Sequence, residues 1–445
     1  MKKIISTLAL AAVLAPSANA TVARIKALGN NEIDSEGSYY IQDNRNIFLN
    51  VANIHDYANS VILEFGKNGK VLTGDSSSNT TVDADTNPKA QGGFLKKHGN
   101  FVYGVYVGNE SKTSTLLRVL STSQAAVVAG ASTNSSSSAG HLLNTSDNQV
   151  DLFFGWEAAG LKWGSNFLYT KSEDKESAQK EEDKAMAARF GVKAKNWDAH
   201  LNLSLASSAK ETVTFTGSLA GLGSFEHEFD GKLGVHVGGA YHMGQNTFWA
   251  YYKTFKWDQK DGFNYTTGGT TLDAASSGSS ARGKQGTSEG SFNTIQVGWG
   301  NTMTNGDGTL YTSVYFEKKD IEIKLAKTAE VGLTYVPVVL GYESKATDWL
   351  TLRGSIIHNL YGKKDNKNYD SINAVVAQLA AAEFGSQGKG SITNSTDVRA
   401  GASLNFGNLD IDGLIGATNN GSTISENGNL RLDQLLYRVG MTYKF

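Results

Sequence analysis

The chain has 445 residues, with 41 basic and 43 acidic side chains, 49 glycines, 3 prolines and no cysteine. The lack of cysteine excludes a disulfide framework and cysteine-ligated zinc, and the near-balanced charge without a basic stripe argues against a nucleic-acid partner. Many glycines and aromatic residues with few prolines suit strands and tight turns, because proline cannot donate to a sheet ladder.

The first twenty residues have the features of an export signal. Two lysines give a positive start, residues 4–15 are apolar, and Ala18-Asn19-Ala20 provides small residues for cleavage. The apolar run is shorter than the ~20 residues that a membrane-spanning helix needs. We therefore predict a signal peptide over residues 1–20, which leaves 39 basic side chains against 43 acidic ones in the mature chain.

Residues 21–59 form an irregular segment that ends before the first predicted strand. Within it, Asn50-Val51-Ala52 resembles the Asn-Pro-Ala sequence near the N-terminus of long-chain fatty-acid transporters of the outer membrane, with Val51 in place of proline. In that family the N-terminal segment plugs the barrel, so the resemblance implies a plug here. The alternative is a periplasmic segment tucked under the barrel.

From residue 60 to residue 445, segments with an apolar residue at every second position alternate with polar loops. Successive strand residues point to opposite faces of a sheet, so each segment predicts a strand with one apolar and one polar face. The sixteen segments are 60–72, 91–97, 101–108, 150–157, 161–169, 186–195, 197–205, 232–243, 246–257, 291–302, 309–318, 329–343, 350–360, 397–406, 409–415 and 435–445.

Some segments depart from this pattern. The aromatic residues of 246–257 fall on both faces, which predicts a β-bulge, and the phase of 329–343 shifts near Pro337. Helical spacing indicates a helix over 371–384, and a short one is expected at 124–129.

The last predicted strand carries Met441, Tyr443 and Phe445 on its apolar face. A C-terminal alternating strand that ends in phenylalanine resembles the closing strand of bacterial outer-membrane barrels. In those proteins the barrel-assembly machinery reads this strand, so the resemblance assigns an assembly signal to these three residues. The chain as a whole resembles general porins in strand number, glycine content, acidic balance and terminal phenylalanine. Its export signal and N-terminal region resemble those of porin-type major outer-membrane proteins.

Short turns alternate with mostly longer loops between the sixteen segments. Outer-membrane barrels have short periplasmic turns, long extracellular loops and an even number of strands of ~9–11 residues. We therefore predict an all-β fold, a closed transmembrane antiparallel up-and-down barrel of sixteen strands. Fourteen strands is the alternative, if residues 60–97 belong to the plug. A soluble propeller or sandwich is the rival fold, and it predicts loops of similar length at both ends and no export signal.

If the apolar face meets lipid, the polar face lines the lumen, and charges of both signs are predicted there. A lumen lined in this way conducts small hydrophilic solutes and biases ion choice. The alternative interpretation is that each of these residues is merely solvated or pairs with a charge on a neighbouring strand. The predicted pore-lining residues are Asp151, Glu157, Lys162, Arg189, Lys193, Asp198, His200, Lys232, His236, His242, Glu317, Glu330, Arg353, Asp397, Arg399, Asp410, Asp412 and Arg438.

No residue pattern predicts catalysis, a cofactor or a metal site. His236 and His242 share a face but lie about 20 Å apart along a strand, so they cannot bind one metal ion by themselves. No spacing identifies a nucleophile with its base, and the glycine-rich stretch 266–290 lacks the phosphate-binding pattern.

The leading functional hypothesis is an outer-membrane porin for passive diffusion of small hydrophilic solutes and ions. The alternatives are a transporter of hydrophobic molecules and a structural or surface-contact barrel. A porin requires a continuously polar lumen, whereas a transporter of hydrophobic molecules requires an apolar pocket above the plug. The expected partners are outer-membrane lipid and lipopolysaccharide and the barrel-assembly machinery, with a homotrimer left open.

Overall fold

The structure is a computed structural model. It describes residues 21–30, 34, 36–66, 89–109, 111–121, 148–175, 179–214, 224–264, 286–324, 327–369, 377, 380, 381, 384–392, 396–417 and 438–445. The predicted signal peptide, the predicted helix at 124–129, most of the glycine-rich stretch 266–290 and residues 435–437 of the closing strand lie outside the described residues.

The described chain consists almost entirely of β-strands, with short helices. The helices are α1 Val22–Ala27, α2 Asn46–Leu49, the 3-10 helix η1 Val51–His55 and α3 Lys112–Leu120. The strands are β1 Ser60–Gly66, β2 Lys89–His98, β3 Phe101–Val107, β4 Val150–Ala158, β5 Leu161–Lys175, β6 Gln179–Lys193, β7 Trp197–Thr214, β8 Ser224–Gly231, β9 Gly234–Met243, β10 Asn246–Asn264, β11 Gly286–Asn305, β12 Gly308–Lys324, β13 Thr328–Lys345, β14 Leu350–Asn366, β15 Gly388–Ser391, β16 Thr396–Phe406, β17 Leu409–Ala417 and β18 Arg438–Lys444.

These strands form one closed antiparallel barrel with sixteen positions. β8 and β9 share a position because both pair with β7 on one side and β10 on the other, and β15 and β16 share another beside β14. The barrel closes where β1 pairs with β18. The prediction of sixteen strands is confirmed, and the fourteen-strand alternative is wrong because β1 and β2 pair with each other in the wall.

One end of the barrel carries seven short turns, and both Ser60 and Phe445 lie at that end. Several turns have glycine with positive φ, as at Gly99, Gly244, Gly306 and Gly407, a conformation that side chains disfavour. The other end carries the longer connections. The predicted alternation of short turns and long loops follows from this arrangement.

The outer surface has two zones. The first, the apolar belt, consists of exposed large hydrophobic side chains that include Phe94, Phe154, Phe190, Ile295, Phe316, Leu340, Ile356 and Val398. Above it, towards the long loops, the outward positions are charged. We call this second zone the collar, and it includes Asp230, Lys232, Lys256, Lys260, Lys318, Glu322 and Lys324.

β12 passes through both zones, and its two faces exchange polarity on the way. Its outward positions change from Leu310, Thr312, Val314 and Phe316 to Lys318, Asp320, Glu322 and Lys324, whereas its inward positions change from Tyr311, Ser313, Glu317 and Lys319 to Ile321 and Ile323. The lower part is a lipid-facing barrel with a polar interior. The upper part has the polarity of a water-soluble protein, apolar inside and charged outside.

Chain segments fill the described interior from both ends. The N-terminal segment 21–58 is called the plug. Its described residues lie inside the lower barrel, where α1 contacts β14, β16, β17 and β18 and η1 contacts β4, β5 and β6. In the upper barrel, α3 and Tyr369, Ala380 and Phe384 join an apolar cluster with inward residues of β7 to β13. The predicted helix over 371–384 is only partly described, and residues 377, 380, 381 and 384 are helical.

The predicted bulge within β10 is wrong, and the shift near Pro337 is confirmed. β10 pairs in continuous register with β11. Of its inward aromatic residues, Trp249 and Tyr251 pack against Tyr39 of the plug, and Phe255 and Trp257 belong to the upper apolar cluster. Aromatic residues occur on both faces because one face meets lipid and the other meets protein. The register of β13 and β14 shifts between Val336 and Pro337. Among the described residues, no helix has the length and hydrophobicity of a membrane span.

Candidate functional site

All but two of the predicted pore-lining residues lie on the inward face of the wall, but that face meets protein. Asp151, Asp412 and His200 are almost completely buried, and Glu157, at the short-turn rim, has an exposed side chain. Arg189 Nη1 lies 2.6 Å from Asp151 Oδ1 within the wall. The inward charges therefore pair with each other and with the plug, and the described interior does not form the predicted water-filled lumen.

Lys232 and Glu330 are corrections to the prediction, because both lie on the outward face. Lys232 Nζ lies 2.6 Å from Asp230 and 2.9 Å from Asp258, within the collar. Glu330 forms an ion pair with Lys367 and lies between the buried, inward-facing Ala329 and Val331. Both were misassigned because the faces exchange polarity above the apolar belt, where the charged side of a strand faces outward.

The lower wall holds η1 through a row of glycines. Gly155, Gly164 and Gly191 are direct cross-strand neighbours on β4, β5 and β6. A Cβ atom at Gly164 would lie 2.6 Å from the Val51 backbone, so only glycine allows this close approach. Beside the row, Asn50 Nδ2 donates to Asp198 Oδ1 at 3.0 Å. This hydrogen bond fixes the start of the Asn50-Val51-Ala52 sequence against the wall.

The end of the plug is anchored by Asp56. Its carboxylate receives hydrogen bonds of 2.6 Å from both Lys162 Nζ and Lys193 Nζ. Burial alone would raise the pKa of the Asp56 carboxyl, but the two ammonium groups outweigh burial and hold that pKa below its usual value. Two lysines of the predicted pore set therefore serve as anchors for the plug.

Above the plug lies a chamber with a volume of about 200 Å³. It is bounded by plug residues, by α3, by β5 to β7 and by β9 to β11. Its apolar lining consists of Leu117, Leu168, Ala185, Met186, Ala187, Leu203, Ala206, Val235, Phe255 and Phe292. Its charged lining consists of Asp34, Glu36, Arg118, Asp183, Arg189, His236 and Lys253. An apolar cavity of about 150 Å³ can hold benzene, so a chamber of this size suits a single-ring organic molecule.

Every lysine and arginine of the chamber has a carboxylate partner. Lys253 Nζ lies 3.3 Å from Glu36 Oε2, and Arg118 Nη1 lies 3.1 Å from Asp183 Oδ2. Arg189 is paired with Asp151, as described above. Burial would raise the pKa of Glu36, but Lys253 and His236 hold it below its ordinary value, so the carboxylate stays ionised. The chamber therefore offers hydrogen-bonding groups without an uncompensated positive charge.

One side of the chamber reaches a break in the barrel wall. β7 holds one extra residue relative to β6, and the β8–β9 position holds one extra residue relative to β10, at the same height. Between the Ser207–Gly231 and Ser204–Gly234 pairs, the residues of the two strands do not pair with each other. The Phe255 ring covers this break from inside, and a Cβ atom at Gly231 would lie 2.7 Å from Phe255 Cζ. Leu205 and Leu233 are exposed on the outer side, at the junction of belt and collar.

Tyr39 of the plug, Trp249 and two histidines form a cluster that adjoins the chamber at His236. His200 Nε2 lies 3.4 Å from His236 Nε2, and Tyr39 stacks on Trp249 with ring centroids 5.8 Å apart. His242 instead bonds Asp198 at 2.7 Å. Among the described residues, no group of three or more histidine and carboxylate side chains converges as a metal site.

No family model matches the chain, and no curated protein matches it. Among solved structures, the chain is similar to the CymD monoaromatic hydrocarbon channel, with 8% identity over 97% of this chain and 98% of that chain and a TM-score of 0.36. The toluene transporter TodX of Pseudomonas putida shares 11% identity over 96% and 98%, with a TM-score of 0.36. A FadL homologue of Pseudomonas aeruginosa shares 12% over 92% and 96%, with a TM-score of 0.39.

The closed barrel and its apolar belt make the chain a multi-pass β-barrel of the outer membrane, and the predicted location is confirmed. The predicted contacts with lipopolysaccharide and the assembly machinery, and the assembly role of Met441, Tyr443 and Phe445, stay predictions. In the structure Phe445 is half exposed, and Lys96 Nζ lies 4.6 Å from its ring centroid.

Sequence reasoning missed the plug residues and α3 residues that complete the site. Arg24, Glu36 and Arg118 lie in segments without a strand pattern, so no period marked them as inward-facing. Phe255 lies in a predicted strand, and its place over the break depends on bulges in two other strands. The Ser204–Ser207 phase shift is a signal that could have located the bulge in β7.

Proposed function

We propose that the chain carries small, uncharged and largely apolar molecules across the outer membrane. The observation that carries this proposal is the chamber above the plug, whose apolar lining extends to the wall break behind Phe255. A transporter of hydrophobic molecules requires such a pocket above a plug, whereas a porin requires a continuously polar lumen. The solved structures to which the chain is similar include a monoaromatic hydrocarbon channel and a toluene transporter.

The charge balance of the chamber favours an uncharged ligand. A carboxylate-bearing ligand would need a cation that is free to pair with it, and each lysine or arginine of the chamber already has a carboxylate within 3.3 Å. Displacing one of these partners would leave a buried charge unpaired, which is strongly unfavourable. Asn202 Oδ1, a buried acceptor without a hydrogen-bond partner among the described residues, is available to orient one hydroxyl group of a ligand.

The wall break gives such a molecule a route between the chamber and the bilayer. Leu205 and Leu233 provide an apolar outer rim, and Phe255 closes the inner side. A move of the Phe255 side chain opens this route without disrupting the plug. An apolar solute can then leave sideways into lipid and avoid the aqueous periplasm.

Binding of toluene and benzoate to the purified protein tests the proposal, because the two ligands share a ring and differ in charge. We expect toluene to bind at least tenfold more tightly than benzoate in isothermal titration calorimetry at pH 7.5. Ala187→Trp fills the chamber and should weaken toluene binding at least tenfold. Ala188→Trp is the matched control, because Ala188 is the adjacent residue and has the lipid-facing phase.

Equal loss of binding in both tryptophan variants would place the ligand somewhere other than the chamber. Tighter binding of benzoate would contradict the uncharged substrate class. A protein that binds neither ligand and carries no solute would support the structural or surface-contact role.

A further inference from the structure

Thr21 occupies a fitted niche against the inner wall of the barrel. The residue is completely buried, and Thr21 Oγ1 donates to Asp412 Oδ2 at 3.3 Å. The next backbone amide, of Val22, donates to Glu64 Oε1 at 3.1 Å. Gly440 leaves the space for Thr21, because a Cβ atom there would lie 2.2 Å from Thr21 Cβ. The backbone of residue 21 is therefore held among carboxylates in the interior.

These carboxylates belong to a buried ion-pair network with an excess of negative charge. Arg24 pairs with Asp43 and Glu343, Arg353 pairs with Asp412 and Glu343, and Arg438 pairs with Glu64. The ion pairs among the described residues thus join four carboxylates to three guanidinium groups. Asp43, Glu64 and Asp412 have side chains that are at most 1% exposed, so water does not offset the imbalance.

We propose that the free α-amino group of Thr21 is the missing cation of this network and locks the plug in the barrel. The predicted signal peptide ends at Ala20, so its removal creates a new ammonium group at Thr21. Cleavage replaces the neutral amide of residue 21 with a positive charge one residue from the Glu64 contact. Four carboxylates then face four cations.

The protonation behaviour of Asp43 is consistent with this charge excess. Burial raises the pKa of the Asp43 carboxyl to about 7, Arg24 opposes the rise, and the neighbouring Asp412 and Glu64 carboxylates add to it. A cation at Thr21 would relieve the repulsion among these groups and keep Asp43 ionised. Removal of the signal peptide and locking of the plug are thereby coupled, because a chain that retains its signal peptide cannot complete the ion-pair network.

Amine labelling of the mature, folded barrel tests the proposal directly. Thr21 should resist acylation by an N-hydroxysuccinimide ester at pH 7.5 at least tenfold relative to the same chain unfolded in urea, as read by peptide mass spectrometry. Equal labelling in the two states would overturn it. This measurement needs no variant, so a failure of folding cannot obscure it.

A charge-rescue experiment separates an electrostatic role from simple burial. Two chains that begin at Thr21 are refolded in detergent, one with a free amine and one Nα-acetylated, and trypsin cleavage after Arg24 is timed. The acetylated chain should be cut at least tenfold faster. Glu64→Gln removes one negative charge and should restore protection to the acetylated chain, whereas Glu36→Gln, in the separate Lys253 group, should not. Equal protection of the free and acetylated chains, or failure of Glu64→Gln to rescue, would contradict the proposal.

Discussion

At the scale of single residues, the inward charges of this barrel hold protein segments in place. Asp56, Lys162 and Lys193 join the plug to the wall near the short-turn end, and Arg118 and Asp183 join α3 to the wall near the other. The period-two pattern predicted that the wall lysines face inward, because that pattern is local. It could not predict their partners, since an ion pair between residues more than a hundred positions apart leaves no local trace.

The Asp56 anchor should make plug retention depend on acid pH. The folded-state pKa of Asp56 lies below its unfolded value, so its contribution is present above about pH 4 and is lost as pH falls through the folded pKa. We expect limited proteolysis of the purified barrel to release the plug faster below pH 4 than at pH 6. Asp56→Asn should weaken anchoring by about 1 kcal/mol at pH 6 and flatten this acid dependence. An unchanged acid profile in Asp56→Asn would assign the effect to other carboxylates.

At the scale of elements, a single strand passes through different surroundings, with lipid outside its lower part and water outside its upper part. The number and phase of the membrane-spanning parts could be predicted from the sequence, because one face meets lipid along the whole belt. The polarity of the upper strands could not be predicted, since β12 becomes charged on its outward face after Phe316 and apolar on its inward face from Ile321. Alternation at every second residue distinguishes the two faces of a strand but does not show which face meets water. The wall break escaped prediction because two bulges on neighbouring strands compensate each other in the ladder.

The exchange of polarity along β12 predicts that added lysines have unequal effects. Val314→Lys places a charge in the apolar belt, at a cost of about 2–4 kcal/mol, and should sharply reduce the fraction of barrel that inserts. Glu322→Lys adds the same side chain to the outward collar and should insert normally. The measurement is the heat-resistant, compact band in unboiled gels of membrane extracts. Similar insertion of the two variants would show that the belt extends farther up the strand.

The glycine row predicts a variant that releases the plug from an intact wall. Gly164→Leu places a side chain where the Val51 backbone lies, and such overpacking costs about 1–3 kcal/mol. We expect faster proteolysis of residues 21–58 together with a normal barrel yield. Ser165→Leu, on the neighbouring lipid-facing position, is the control and should leave the plug protected. Equal protection in both variants would mean that η1 is held by its side chains alone.

At the scale of the whole molecule, the structure is a closed barrel whose described interior is largely occupied by protein and contains one chamber. The plug occupies the lower interior, α3 and the apolar cluster occupy the upper interior, and the chamber lies between them. The composition and the strand pattern predicted the barrel wall well. They predicted the protein segments inside the barrel poorly, because a polar inner face is equally suited to water and to a hydrogen-bonded plug.

The filled interior predicts a low ionic conductance. In planar bilayers, the intact protein should conduct at most a tenth as much as a variant lacking residues 36–58, because ions need a continuous aqueous path. The deletion variant must first show the compact band of a folded barrel in unboiled gels. A large, steady conductance in the intact protein would restore the porin hypothesis and contradict the proposed transport of apolar molecules.

The pairing of β1 with β18 also sets the order of events during biogenesis. Ser60 meets Lys444 only after nearly the whole chain has been made and delivered, and until then both strands present unpaired backbone groups. The nascent sheet must therefore be chaperoned for a long time relative to the synthesis of any one hairpin. A wall that closes last also leaves an open side through which the tethered N-terminal segment can settle. Sealing the ring then becomes the step after which the interior can no longer be rearranged from the side.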